Sequence, residues 1–475
     1  MTNKASESKK ELSVPVALFA LLVIIASVVA GIRLSFGSQM SVFAGAVVAI
    51  LIVMLLGFKW EDIQKKFVEN VHGCIGCTMV LILVGLLVGT WIIGGTLPTL
   101  IYYGLEIITP SALVPLTFLL CALTSVFTGT SYGSIATMGL AMYGIGVNMG
   151  INPALIAGAV VSGSYFGDKM SPMSDTTNLA PAMAGTDLYS HISSMFYSTV
   201  PATVITFILY LILGRSSGMS ANVESISLIQ DTLKANFNIS PICMLPLVMI
   251  LVLSAIRVPA ILAMGSTVVV SVVLAALTQG ASFSSIMSAA MSGYVSQTGV
   301  SMVDTILTRG GVKSMSGTIS IIFFASLMAA ALQAAGIVEI LMDNVLRKII
   351  KSRVSLIVST LIYAYAMLLM TGNQVMGIII PGKTMSELYD KLNVNRKVLS
   401  RTLEDSATIG SVLVPWGAGA AYAMGVLGCS LSYIPYAFLC YIVPVFSVLL
   451  AVTGIGIWDS KGNPIWKKKE SAVKS

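Results

Sequence analysis

Apolar runs of roughly 20 residues, the signature of membrane-spanning helices, recur along the whole chain. They include Val14–Ala30, Val42–Leu56, Cys77–Ile93, Ile192–Leu213, Ile242–Ile256, Ala260–Leu277, Ile319–Ala335 and Ile434–Val452. Hydrophobic residues make up 56% of the 475, and the mean hydropathy is +0.91. A water-soluble chain of this composition would need an implausibly large core. The sequence therefore reads as an all-α polytopic membrane protein. The first run has no clear small-residue cleavage site before polar sequence, and further spans follow at once, so it reads as a retained helix.

Charge and motif content exclude several functions. The net charge of +7 comes from Lys and Arg in short loops and tails. That is the pattern of topology determinants, and it gives no reason to expect a nucleic-acid partner. The sequence has no Walker A pattern, so no ATP-driven engine is visible. It also lacks Ser–His–Asp or metal-hydrolase spacing, and the chain reads as a non-enzyme with no cofactor, driven by an ion gradient. The six cysteines lie mostly inside apolar runs, against a disulfide framework. His72, Cys74 and Cys77 form "HGCIGC", a metal fragment or, as only two histidines occur in the chain, small residues at a helix start.

The chain repeats itself. "TGTSYG" begins at Thr128 and "TGNQVMG" at Thr371, 243 positions later, and Asn152 of "INPALI" and Asn395 of "VNRKVL" keep the same spacing. Each half then continues into an acidic, broken segment: "GDKMSPMSDTT" in the first and "LEDSATIGSVLVPWGAG" in the second. Charge distinguishes the halves. Leu97–Thr109 carries no Lys or Arg, whereas Val338–Arg353 carries Arg347, Lys348, Lys351 and Arg353. Tyr143–Pro153 is uncharged, whereas its counterpart holds Lys383, Lys391, Arg396 and Lys397. By the positive-inside rule the first-half loops lie outside and the second-half loops are cytoplasmic, as in an inverted-topology repeat.

The expected organisation follows. Residues 1–12 form a cytoplasmic tail, 13–214 the first transmembrane repeat, 215–240 an outer connecting loop, 241–457 the second, inverted repeat, and 458–475 a basic cytoplasmic tail. Pro110–Val147 turns at "TGTSYG". Val354–Ile380 turns at "TGNQ" and is short for two full spans, so it reads as a re-entrant hairpin. Two hairpins and two interrupted helices result. Arg309 and Lys313 fall near the outer side, against the charge rule.

Broken helices survive in a membrane where they are buried in protein or line a wet cavity. The first break carries Asp168, Lys169, Ser171, Ser174, Asp175, Thr176, Thr177 and Asn178. Asp168 and Asp175 would share a face of a continuous helix, which Pro172 makes doubtful. Carboxylate, hydroxyl and amide oxygens suit a hard alkali cation, and an intramembrane carboxylate is a functional candidate by default. The competing reading is a solvated surface loop. The second break offers Asp405 and Ser406, with Thr408, while Glu404 either pairs with Arg401 or serves transport. The hairpin tips add Thr128, Thr130 and Ser131, then Thr371, Asn373 and Gln374, or else simply pack through small residues. Asp175 and Asp405 are the expected sodium ligands. His191 reads as an interfacial histidine or a proton sensor.

"GSYFGDKMSPMSDTTNLAPAMAGTDLYSHI" closely resembles the NhaC family of sodium/proton antiporters. The resemblance extends to "TGTSYG" and "LEDSATIGSVLVPWGAGAAYAMG", and covers about Pro15 to Trp458. "PWGAGAAY" departs from the family's "PWN" pattern at Gly417. The resemblance implies sodium-coupled secondary transport at the cell (plasma or inner) membrane, with scaffold and transport domains, paired hairpins and a possible homodimer in the lipid bilayer. It leaves two cargoes open: sodium ions against protons, or a small carboxylate (malate or lactate) or an amino acid coupled to sodium. An ion channel is disfavoured, since a channel needs no mirrored gates.

Overall fold

The computed structural model describes residues 12–34, 36–218, 223–256, 258–337, 340 and 347–467. Among these residues the protein is helical, with two isolated bridges, Tyr294 with Arg309 and Trp458 with Pro464. Six helices are long and apolar enough to cross a membrane, or eight if two bent pairs each count as one span. The chain is a multi-pass membrane protein.

The chain begins with α1 (Val14–Arg33), α2 (Gly37–Leu55) and α3 (Trp60–Ile93). A short α4 (Thr96–Ile107) leads to a hairpin of α5 (Pro110–Thr128), α6 (Ser131–Ser134), a π-helical turn at Ile135–Gly139, and α7 (Leu140–Asn148). The first broken helix follows as α8 (Pro153–Met170) and α9 (Asp175–Ala184). α10 (Leu188–Gly218) closes the first half, and α11 (Val223–Asn236) and α12 (Leu245–Ala255) join it to the second. α13 (Ala260–Leu277), α14 (Phe283–Ser292), α15 (Ser301–Leu307) and α16 (Ser316–Ala334) come next. A second hairpin is formed by α17 (Arg353–Thr371) and α18 (Gln374–Lys391). The second broken helix comprises α19 (Arg396–Leu403), a π-helical turn at Glu404–Thr408 and α20 (Ala418–Leu427), and α21 (Phe438–Thr453) ends the array.

The 243-residue spacing governs local structure from residue 110 to residue 185. Pro110 opens α5 and Arg353 opens α17, and both helices run for 19 residues. Gly129 and Gly372 end them in the left-handed region, at φ 68° and 63°. Each glycine N–H bonds the carbonyl four residues back, Ser125 or Leu368, at 2.8 Å. Glycine adopts this conformation without strain. Asn152 and Asn395 cap α8 and α19, their side chains accepting from the N–H of Ala154 and Lys397. The breaks fall at Ser171–Ser174 and Val414–Gly417, and α9 and α20 both run for ten residues to a left-handed glycine. The tips even pack alike. A Cβ on Gly129 would lie 2.8 Å from the Met173 Cβ, and one on Gly372 would lie 3.2 Å from the Trp416 carbonyl.

Several expectations need correction. Residues 223–236 of the expected loop are helical. The second hairpin is longer than Val354–Ile380, because its polar return arm stays helical to Lys391 and packs on α9 and α19. Arg396 fixes that corner, pairing with Asp390 at 2.7 Å. The expected C-terminal tail is packed as far as it is described. The Trp458 carbonyl accepts from the Asn395 N–H at 2.9 Å, and Lys397 Nζ lies 3.7 Å from the Trp458 ring centroid. Residues 1–11 and 468–475 lie outside the described residues. Arg309, out of place by the charge rule, has a structural role. It donates to the Leu427 carbonyl at the end of α20 and lies over the Tyr143 ring. His72 and Cys74 lie inside α3, more than two turns past its start.

Thr109 and Ser352, both exposed, precede α5 and α17 at equivalent places. In a background without native cysteines, Thr109→Cys should react with an impermeant thiol reagent in intact cells. Ser352→Cys should react only once the membrane is opened. Labelling of both from one side would contradict the inverted arrangement.

Candidate functional site

The two hairpin tips approach one cavity of about 440 Å³. Thr130, Ser131 and Tyr132 come from the first tip, and Asn373 and Gln374 from the second. Asp168, Asp175 and Thr176 come from the first broken helix, and Ser411, Ala418 and Gly419 from the second. Ser411 stands 243 positions after Asp168 and Ala418 the same distance after Asp175. Equivalent places in the two halves thus face each other, carboxylates on one side and neutral groups on the other.

Asp168 is buried, and hydroxyls from two elements hold its carboxylate. Ser131 donates to Oδ2 at 2.8 Å from the first tip, and Ser174 donates to Oδ1 at 2.6 Å from the break. Asp175 opens α9 and is exposed to the cavity. Thr176 lines the cavity beside it, its hydroxyl 3.0 Å from that of Ser174. The halves are tied across the cavity. Ser411 Oγ lies 3.1 Å from Gln374 Oε1 and 3.3 Å from the Tyr165 hydroxyl. Tyr422 donates to the Tyr132 carbonyl at 2.7 Å, and the two rings stack.

Other expected residues serve the break itself. A helix interrupted inside the protein leaves carbonyls and N–H groups that need partners. Thr177 Oγ1 lies 3.0 Å from the carbonyls of both Asp168 and Lys169. Ser171 donates to the Val126 carbonyl, and Asn178 reaches those of Pro172 and Ser174. These three side chains close the gap. At the second break the Tyr433 hydroxyl donates to the Val412 carbonyl at 2.6 Å. Trp416 Nε1 donates to the Leu369 carbonyl and the Ala418 N–H to the Gly372 carbonyl, each at 2.8 Å. Thr128 and Thr371 bond within their own tips, and Asn373 caps α18 through the Val375 N–H. Ser406 bonds back to the Thr402 carbonyl of its own helix.

Asp405 lies apart from the cavity, and its place changes the expected site. It is fully buried, and Lys169, also fully buried, donates to Oδ1 at 2.5 Å. Ser198 of α10 adds a bond to Oδ1 at 2.9 Å and Ser447 of α21 one to Oδ2 at 2.6 Å. Arg401 Nε lies 3.9 Å from Oδ2, one helical turn back. Arg401 therefore pairs with Asp405, not with Glu404, because its guanidinium is drawn toward the Gly456 carbonyl at 2.8 Å. Nor are the acidic segments mirror images. Asp405 corresponds in register to Ser162, and the second break carries no acid of its own. Asp168 and Lys169 are interior groups, so the solvated-loop reading fails for both. His191 is fully buried, 2.6 Å from Ser400 through Nδ1. Among the described residues no group of three His, Cys, Asp or Glu is disposed to hold a metal ion.

The Na+/H+ antiporter family matches residues 8–165 and 163–455. The chain belongs to that family. The Na+/H+ antiporter NhaC of Alkalihalophilus pseudofirmus is 37% identical over 417 residues, covering 86% of this chain and 90% of the relative. The malate-2H+/Na+-lactate antiporter of Bacillus subtilis is 33% identical over 91% of this chain and 92% of its own length. The arginine/ornithine antiporter ArcD of Halobacterium salinarum is 32% identical, over 84% and 83%.

Removing one partner of a buried ion pair strands the other charge, at about 3–5 kcal/mol. Lys169→Met should lower the thermal unfolding midpoint in detergent by a corresponding amount. Lys169→Met combined with Asp405→Asn should recover most of that loss. Equal losses in the single and double variants would show that the pair does not tie the halves together.

Proposed function

We propose that the chain is a secondary transporter that exchanges Na+ for H+ by alternating access, with the cavity carboxylates as the shared site. One observation carries this reading. Asp168 and Asp175 line one cavity, and the basic side chain next to Asp168 is turned away onto Asp405. Among the described residues, no cation pairs with the negative charge of the cavity wall. Hydroxyls and amides of Ser131, Thr176, Asn373, Gln374 and Ser411 complete an oxygen-rich lining, of the kind a hard monovalent cation accepts. Na+ occupies the ionised site, and protonation of the same carboxylates releases it. Either load lowers the charge that must be carried as the halves shift. The charge pattern supports both termini on the cytoplasmic side.

The cavity itself favours a second reading. At about 440 Å³ it exceeds the needs of a single ion and falls within the range of small-molecule sites. Amide and hydroxyl groups at both tips could hold a carboxylate beside Na+. The name of one relative, a malate-2H+/Na+-lactate antiporter, supports sodium-coupled carriage of a small organic anion, and that of another, an arginine/ornithine antiporter, supports an amino-acid cargo.

Proteoliposomes loaded with a pH dye separate the two. Proton movement driven by a Na+ gradient alone selects Na+/H+ exchange. Movement only after adding malate, lactate or an amino acid selects the second reading. Asp168→Asn and Asp175→Asn should each slow the exchange at least ten-fold with insertion unchanged. Wild-type rates in both variants would rule out this site.

A further inference from the structure

Glu404 sits in the π-helical turn of the second broken helix, fully buried beside Asp405. It belongs to a buried group of five charged side chains: Asp168, Glu404 and Asp405 against Lys169 and Arg401. Both cations approach Asp405. With all three acids ionised, these described residues are short of one positive charge, and Glu404 is the carboxylate farthest from satisfaction. Neither of its oxygens has a hydrogen-bond partner, and the buried Thr408 hydroxyl is likewise unpartnered. The hydroxyls of Thr408 and Thr176 lie beside the Glu404 carboxyl, short of good hydrogen-bond geometry, and the Lys169 ammonium also acts on it. In the wider π turn, residues four apart fall on one face, which brings Thr408 over Glu404. Thr176 is also part of the cavity wall.

A buried carboxylate left bare is strongly disfavoured. Three oxygen-bearing side chains, short of one positive charge while Glu404 is ionised, offer an alkali cation what water would otherwise supply. We propose that Glu404, Thr408 and Thr176 form a sodium site one step inward from the cavity, which Na+ reaches past Thr176. The proposal rests on the reading of the protein as a sodium transporter and adds a residue to it. The cavity carboxylates receive the ion, and Glu404 in the opposite half holds it during the shift. Thr176 and Glu404 belong to different broken helices, so a bound ion would couple their movement.

The test is Na+ binding to the purified, full-length protein in detergent, by equilibrium binding of radioactive Na+ with choline as the replacement cation. Glu404→Gln should raise the Kd for Na+ at least ten-fold, and Thr408→Ala about three-fold. If Glu404→Gln does not fold, Thr408→Ala carries the test alone. A Kd within two-fold of wild type in Glu404→Gln, or unchanged in Thr408→Ala where only that variant folds, overturns the site. If Asp168→Asn still abolishes sodium-driven proton movement in that case, the exchange reading stands without it. Absence of Na+ binding by the wild-type protein overturns both.

Discussion

The ion pair between Lys169 and Asp405 joins residues 236 positions apart, and both side chains are fully buried. It connects the end of α8, at the break of the first broken helix, to the π turn of the second. Two charges without water are tolerable only when well paired and hydrogen-bonded, and here hydroxyls from α10 and α21 complete the shell around Asp405. The pair has a chemical consequence as well as a mechanical one. Lys169 cannot serve its neighbour Asp168 while it is engaged by Asp405. The carboxylates at the cavity are thus left unpaired by Lys169, as the proposed Na+ site requires.

The two halves share a scaffold and have diverged in chemistry. Helix starts, tip glycines, asparagine caps and breaks keep one spacing from residue 110 to residue 185 and again from 353 to 428. The side chains around the breaks differ. The first break holds acid and hydroxyls, whereas the second holds Trp416, Gly417 and Ala418. The acids of the second half sit about two turns earlier, in a π turn. A cavity between equivalent tips is consequently charged on one face and neutral on the other. That asymmetry is what the proposed ion site rests on.

Much of this was legible in the sequence because it depends on local rules. Apolar run length marks the spans, and glycine after a helical run marks the tips. Asn152 and Asn395 reveal the spacing through their own backbone bonds. Pro172 correctly signals a break, and Asp168, Asp175 and Asn373 do line a common cavity. Long-range partners were not legible. The choice of Arg401 between Glu404 and Asp405 depends on Gly456, 55 residues away. Ser171 and Thr177 look like ion ligands, but their hydroxyls go to carbonyls that a break exposes. Ser411 could have been found by carrying the 243-residue spacing from Asp168.

The central claim is that Na+ and H+ use one deficit of positive charge in the buried site. The most direct measurement is proton release when Na+ is added to the purified protein in weakly buffered solution near neutral pH. The account predicts that Na+ liberates protons in proportion to the Na+ bound, and that choline liberates none. Sodium binding without proton release would contradict it.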